Sequence, residues 1–234
     1  MILLAIDTST PRAALALDLG PDGGPPRLAP IDADPGRRHG RGLIPAIKAL
    51  LESAGITARD LGALAVGLGP GSYTGLRIGL TAAKTIAYAA GVPLYPLDSL
   101  EAIARSAPLD AAHLAVVVDA QRGDGYVAEF ARDRPGDAPR RLTPTRVEPL
   151  VPWALALPPG TLVLGPALDR LPLPWPPALR LGTPDQGHPD PLALLALASE
   201  AVAAGRIAEP FALEPIYLRR SAAEDLWESK TPPA

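Results

Sequence analysis

The chain has 234 residues, of which 47% are hydrophobic and 4% aromatic, and its formal net charge is -3. This composition indicates a globular protein with an aliphatic core, built as one large domain or two small lobes. The acidic balance argues against strong autonomous binding to nucleic acid, and the absence of cysteine excludes disulfides and thiolate catalysis.

The first half of the sequence alternates between apolar runs typical of buried strands and longer segments with helical periodicity. The expected strands are residues 1–6, 13–17, 28–31, 61–68 and 94–97. The expected helices are residues 42–54, a helix that follows a glycine-rich stretch and ends near Ala90, and a third that Asp98 or Ser99 caps and that ends near Ala107. No signal peptide or apolar run of membrane-spanning length is found, so we expect a cytoplasmic protein with no membrane contact.

The second half repeats the pattern of the first. The segment LLAID at residues 3–7 is echoed by AVVVD at residues 115–119, and Leu15 and Val127 lie equally far beyond the two Asp residues. This repeat predicts a duplicated α/β unit, with an N-terminal lobe at 1–107, a C-terminal lobe at 108–218 and a flexible tail at 219–234. Further expected elements are strands at 140–147 and 162–164, a helix at 191–205 and an extended piece at 216–218.

The glycine-rich stretch GLGPGSYTGLRIGL occupies residues 67–80 and resembles a phosphate-binding loop only superficially. It does not match the Walker pattern, because no Gly-Lys-Ser/Thr follows at the required spacing. It also fails the dinucleotide pattern, because Ser72 and Thr74 stand where the third glycine would be needed. We therefore interpret it as a tight strand-to-helix turn made by Pro70 and Gly71, with Ser72 or Thr74 as the helix cap.

The helix after this turn has a face of very small residues spaced four apart: Gly75, Gly79, Ala83 and Ala87. Glycine inside a helix costs about 1 kcal/mol relative to alanine, so its presence suggests that another element approaches closely. That element could be the chain's own helix at 42–54 or a helix of a partner protein.

Two Asp-containing turns, at Asp7 and Asp119, lie where an actin-like fold would hold phosphate and a hydrated metal ion. The first turn, DTSTPR, has no glycine, and its proline removes one backbone donor, whereas the second turn, DAQRGDG, has Gly123 and Gly125. Both hairpins are interpreted as architectural, and phosphate binding stays open as an alternative. A stand-alone actin-like ATPase or kinase remains the alternative. The three histidines, His39, His113 and His188, are isolated in sequence, and neither a metal site nor a nucleophile can be named.

Four segments, in this order, resemble the TsaB family, also called glycoprotease-like: LLAIDTST, GLGPGSYTGLRIGLTAAKTIAYAAGVPLYPLDSLEAIA, VVVDAQRGDGYVAEF and EPIYLRR. The resemblance implies a two-lobed actin-like or hexokinase-like (ASKHA) fold with duplicated ββ-β-α-β-α lobes. It implies a non-catalytic scaffold in the synthesis of N6-threonylcarbamoyladenosine at position 37 of tRNA, with no cofactor. The implied partners are the catalytic paralogue TsaD, the ATPase TsaE within the same complex, tRNA only indirectly, and a second copy of the chain when it is alone.

The resemblance also assigns roles to residues. It implies that the small face of the glycine-stretch helix and the apolar residues of the preceding helix form the partner interface: Leu43, Ile47, Leu50, Gly75, Gly79, Ala83 and Ala87. A bulky residue at Gly79 is then expected to abolish pairing while the fold survives. Gly69, Gly71, Ser72, Thr74 and Arg77 complete the glycine stretch, and Asp7, Thr8 and Asp119 mark vestigial phosphate hairpins. TsaD carries a pair of metal-binding histidines after its corresponding helix, whereas YPLDSLEAIA has none, so the older metallopeptidase label is not supported here.

Overall fold

Two mixed β-sheets form the frame of the protein, and the computed structural model describes residues 1–32, 39–170 and 174–219. The strands of the first sheet are β1 (Leu3–Asp7), β2 (Arg12–Asp18), β3 (Arg27–Asp32), β4 (Ala63–Gly67) and β5 (Leu94–Leu97). Those of the second are β6 (His113–Gln121), β7 (Asp124–Ala131), β8 (Arg140–Arg141), β9 (Arg146–Pro149), β10 (Leu162–Leu164) and β11 (Arg180–Leu181). Apart from Arg219, the predicted tail lies outside the described residues.

Six α-helices accompany the described strands: α1 (His39–Ser53), α2 (Tyr73–Ala90), α3 (Ser99–Arg105), α4 (Leu150–Ala156), α5 (Ala167–Arg170) and α6 (Pro191–Ala203). The predicted caps are confirmed. The Ser72 hydroxyl accepts a hydrogen bond from the Gly75 amide, Gly91 ends α2 in the left-handed conformation, and the Asp98 carboxylate caps α3. No helix in the described ranges is long and apolar enough to span a bilayer.

The two sheets have the same order of strand pairings. In the first sheet the order is β3-β2-β1-β4-β5, with β1 antiparallel to β2 and parallel to β4. In the second sheet β6 takes the place of β1: it is antiparallel to β7 and parallel to β10, which in turn pairs with β11. Each sheet therefore starts with a hairpin and extends on the other side through parallel crossovers.

The two faces of the first sheet are covered by different helices. Leu4 and Ile6 of β1 point to the core beneath α1 and α2, whereas Leu3 and Ala5 point to the opposite face, against α6. This alternation follows from the two-residue period of a strand. Both faces are buried, which explains why β1 reads as a continuous apolar run rather than an alternating one.

Helix α6 packs on the first sheet, although it lies in the second half of the sequence. The sequence analysis assigned residues 108–218 to the second lobe, but Leu194, Leu197 and Ala198 of α6 pack on the first sheet. Small side chains on that face, such as Ala5 and Ala65, leave room for the leucines of α6. The boundary near residue 107 itself stays a prediction.

Helix α3 makes the reciprocal crossing. It follows the first sheet in sequence, yet Leu100 and Ile103 pack with Val116 and Phe130 of the second sheet. Helices α4 and α5 cover the other face of that sheet. Helices α3 and α6 thus lie between the two sheets, and the Arg105 guanidinium joins them by ion pairs with Glu200.

The weaker predictions were less accurate. The strand expected at residues 140–147 is two short pieces, β8 and β9, separated by a turn. Helix α4 was not predicted, because its sequence LVPWALA is short and contains Pro152. Residues 216–218 form no described strand.

A buried arginine fixes the connection between α3 and β6. Arg132 is only 6% exposed, and its guanidinium donates to four backbone carbonyls, those of Ala107, Pro108, Ala111 and Asp137. These carbonyls lie in loops, so no strand or helix pairing provides them with a hydrogen-bond donor. The side chain therefore supplies the hydrogen bonds that a buried irregular segment requires.

We expect Arg132→Met to lower the free energy of unfolding by about 3 kcal/mol, because it keeps the side-chain bulk but leaves buried carbonyls without donors. Urea denaturation measures the change. Arg134→Met, at a nearby exposed arginine, is the control and should change stability little. Equal losses in the two variants would contradict the assigned role.

Candidate functional site

The turn between β1 and β2 is buried beneath the glycine stretch. Asp7 has no exposed surface, and its carboxylate accepts hydrogen bonds from the Ser9 amide at 2.8 Å, the Ser9 hydroxyl at 2.6 Å and the Ser99 hydroxyl at 2.6 Å. Burial raises the pKa of Asp7, and these three hydrogen bonds oppose the rise. Asp7 thus joins the first hairpin to the start of α3.

Thr8 joins the same turn to α2. Its hydroxyl donates to the Gly75 carbonyl at 2.7 Å, and it lies directly against Gly79. A methyl group at Gly79 would overlap the Thr8 hydroxyl, and one at Gly75 would overlap the Thr8 carbonyl. The glycines of α2 are therefore required by a close approach within the chain.

Two backbone amides of the glycine stretch are bonded within the chain. The Ser72 amide donates to the Ser9 carbonyl at 2.7 Å, and the Gly69 amide donates to the Ser99 hydroxyl at 3.0 Å. A phosphate loop needs such amides to point into an open site. These two donors are bonded within the chain instead, which supports the prediction that this stretch is a strand-to-helix turn.

The second Asp turn has a different environment. Asp119 is partly exposed and accepts a hydrogen bond from the Gln121 amide at 2.7 Å. Arg219 holds this turn from outside, because its guanidinium donates to the Ala120 carbonyl at 2.9 Å and to the Asp124 carboxylate at 3.0 Å. The two hairpins match in topology, but only the first is sealed by the glycine stretch.

The predicted choice of interface face is wrong. All seven residues are buried inside the chain: Leu43, Ile47, Leu50, Gly75, Gly79, Ala83 and Ala87. The three from α1 belong to the core between the helices and the first sheet, and the small face of α2 turns toward the β1–β2 turn. A bulky residue at Gly79 would first disturb the fold, which overturns the expectation that the fold would survive it.

The opposite face of α2 is open and forms a groove with α1. The groove has a volume of about 440 Å³ and is lined by Ile44, Arg77, Ile78, Thr81, Ala82, Thr85 and Ile86. Ile44 is 53% exposed although it is a large aliphatic residue. Sequence reasoning missed most of this lining. The signal was present in the spacing of Ile78, Ala82 and Ile86, a second apolar stripe on the same helix.

Arg77 lies at one end of the groove within an aromatic cluster. Its guanidinium carbon is 4.1 Å from the centre of the Tyr73 ring, and its Nε donates to the Tyr217 hydroxyl at 3.0 Å. The Tyr73 and Tyr217 rings are 5.3 Å apart. The remaining residues of the stretch, Ser72 and Thr74, are exposed beside this cluster.

Metal-binding groups are not gathered anywhere in residues 1–32, 39–170 and 174–219, where no three His, Cys, Asp or Glu side chains form a candidate ligand set. His113 is exposed at the start of β6, and His188 is half-buried after the 3-10 turn at Pro184–Gly187. The charge of Asp98 adds to the rise in the Asp7 pKa, and Asp98 itself forms an ion pair with Arg141, with 2.8 Å between the Asp98 carboxylate and the Arg141 guanidinium.

Comparison with known proteins gives three findings. The family model for TsaD, the tRNA N6-adenosine threonylcarbamoyltransferase, matches residues 30–135. An uncharacterised protein of Mycobacterium tuberculosis H37Rv is 34% identical over 229 residues, which cover 96% of this chain and 94% of that protein. The tRNA threonylcarbamoyladenosine biosynthesis protein TsaB of Escherichia coli K12 is 34% identical over 139 residues, or 58% of each chain.

Among solved structures, YeaZ from Pseudomonas aeruginosa resembles the chain along almost its whole length. The TM-score is 0.73 at 28% sequence identity, with 93% of this chain and 99% of YeaZ covered. The similarity therefore includes both sheets and the helices that lie between them.

The contact between Thr8 and Gly79 can be tested by a double-mutant cycle. Gly79→Ala should lower the free energy of unfolding by about 1–3 kcal/mol through overpacking, although alanine normally favours a helix. In a Thr8→Ala background most of the cost should disappear, because the overlapping hydroxyl is gone and only a tight contact of 3.2 Å with the Cβ of residue 8 remains. The same cost in both backgrounds would contradict the proposed contact.

The buried Asp7 carboxyl should affect how stability depends on pH. Its raised pKa means that the folded state holds the proton more tightly than the unfolded state, so stability is lost as pH rises through the folded pKa. We expect Asp7→Asn, which cannot ionise, to gain stability relative to the wild type between pH 4 and about 7. Urea unfolding of both proteins across this range measures the difference, and a constant difference would argue that Asp7 does not titrate there.

Proposed function

Since the chain belongs to the TsaB family, we propose that it is a scaffold and activator subunit in the synthesis of N6-threonylcarbamoyladenosine in tRNA. The names of the TsaB relatives support a role in this process, because they refer to the biosynthesis of this modified nucleoside. In this proposal the protein acts in the cytoplasm and meets tRNA only through its partners.

The proposed architecture is the two-lobed actin-like or hexokinase-like fold produced by duplication. The equal order of strand pairings in the two sheets supports it. The proposed lobes are residues 1–107 and 108–218, with α3 and α6 each packed on the sheet of the other half. In this arrangement Asp7, Thr8 and Asp119 mark the remains of two phosphate-binding hairpins.

The proposed partner is a TsaD-type enzyme, and the observation that carries the proposal is the apolar groove between α1 and α2. An exposed aliphatic surface on a helix pair is characteristic of a protein-binding site. The interface is thus proposed on the same two helices that the sequence indicated, but on their outer face. A TsaE-type ATPase joins through the partner, and a second copy of the chain occupies the groove when the partner is absent.

The proposed role is non-catalytic, with the chemistry carried out by the TsaD-type partner. Supporting this, the one carboxylate at the end of β1 is fully buried, and the neighbouring amides of Gly69 and Ser72 are bonded within the chain. The alternative of a stand-alone ATPase or kinase would require phosphate to reach this turn. Titration with magnesium-ATP distinguishes the two, since the scaffold alone should neither bind it tightly nor hydrolyse it.

Ile44→Asp tests the docking groove, because it places a charge where an apolar contact is proposed. The substituted residue is exposed. We expect its affinity for a purified TsaD-type partner to fall at least about tenfold, with parallel loss of tRNA modification in a reconstituted reaction. Leu155→Asp, at a 69% exposed leucine on α4, is the matched control and should pair normally. Unchanged affinity in Ile44→Asp would refute docking through this groove.

A further inference from the structure

The segment after α6, residues 206–219, forms a strap that returns along α2. Its backbone is fixed at two points: the Ala208 amide donates to the Leu94 carbonyl and the Ile216 amide donates to the Leu68 carbonyl, each at 2.9 Å. Leu213 and Ile216 pack against the core beneath α1 and α2. The strap is therefore an ordered part of the first half of the molecule, although it is far from that half in sequence.

Aromatic side chains of the strap contact both ends of α2. Tyr217 packs on Tyr73 near the start of the helix, and Phe211 packs on Tyr88 near its end, with ring centres 5.8 Å apart in the second pair. These two contacts are fifteen helical residues apart, or about 22 Å along the helix. Because Phe211 precedes Tyr217 in the chain but contacts the end of α2, the strap runs antiparallel to the helix between the two contacts.

The strap is continuous with the docking groove. Arg77 lines the groove and also donates to the Tyr217 hydroxyl, so groove and strap share a side chain. Phe211 is 75% exposed, and Tyr88 of α2 is 74% exposed. Phe211 lies in a turn whose backbone is already held by hydrogen bonds. Preordered aromatic residues and arginine are the residue types that contribute most to binding energy in protein interfaces.

We propose that the strap is the third wall of the docking surface and that Phe211 and Tyr217 contact the TsaD-type partner directly. This inference rests on the proposed function. The choice of occupant follows from the extent of the family match: the TsaD model covers residues 30–135, which include α1 and α2 but not the strap. A TsaD-type chain is therefore similar to this chain over the groove helices, and the strap of this chain lies beside them.

The test compares Phe211→Ala, Phe211→Tyr and the control Leu155→Ala in the full chain. Affinity for a purified TsaD-type partner is measured by calorimetry, self-association by sedimentation, and folding by thermal melting. We expect Phe211→Ala to weaken partner binding at least about tenfold at an unchanged melting temperature, with Phe211→Tyr restoring binding to within about threefold. The control should bind as the wild type does.

Three results would overturn the proposal. If Ile44→Asp weakens partner binding and Phe211→Ala does not, the groove is the docking site but the strap is not part of it. If neither variant weakens binding, the proposed function through this surface fails as well. If Phe211→Ala weakens self-association alone, the strap belongs to an interface between copies of this chain rather than to the partner site.

Discussion

The close contact between the β1–β2 turn and helix α2 sets the arrangement of the first half of the molecule. Thr8 can donate to the Gly75 carbonyl only because Gly75 and Gly79 have no side chains. Asp7, anchored by Ser9 and Ser99, holds the same turn against α3. The space between hairpin and helix is filled by the protein's own polar groups, which are hydrogen-bonded to one another.

This constraint determines which side of α2 faces solvent. Gly75 and Gly79 face the turn and Leu76 and Leu80 are buried, whereas the half-buried Ile78 and Ile86 border the groove and the exposed Tyr88 contacts the strap. The inward packing of the glycines thus explains both why the glycine stretch exists and why the outer face of the helix pair suits a partner.

Sequence patterns predicted local structure well and long-range packing poorly. The apolar run that ends in Asp7, the Ser72 cap and the Gly91 terminus depend on neighbouring residues, and all three lie where they were expected. The orientation of the small face was misjudged, because a row of small residues indicates a close neighbour without identifying it. The position of α6 on the first sheet was missed for the same reason: its apolar residues fit any small-residue surface, and chain order suggested the wrong one.

The exchange of α3 and α6 between the two halves bears on how the protein can act. Each helix packs on the sheet of the other half, Arg105 and Glu200 join the two helices, and Arg219 at the end of the strap holds the second hairpin. Opening the space between the sheets would have to break these contacts together. An enzyme that closes over its substrate needs a hinge of low stability, whereas a scaffold benefits from a rigid surface that loses little entropy on binding. The connections between the halves therefore favour a role in which the outer surface of the helix pair, rather than movement about a cleft, carries the function.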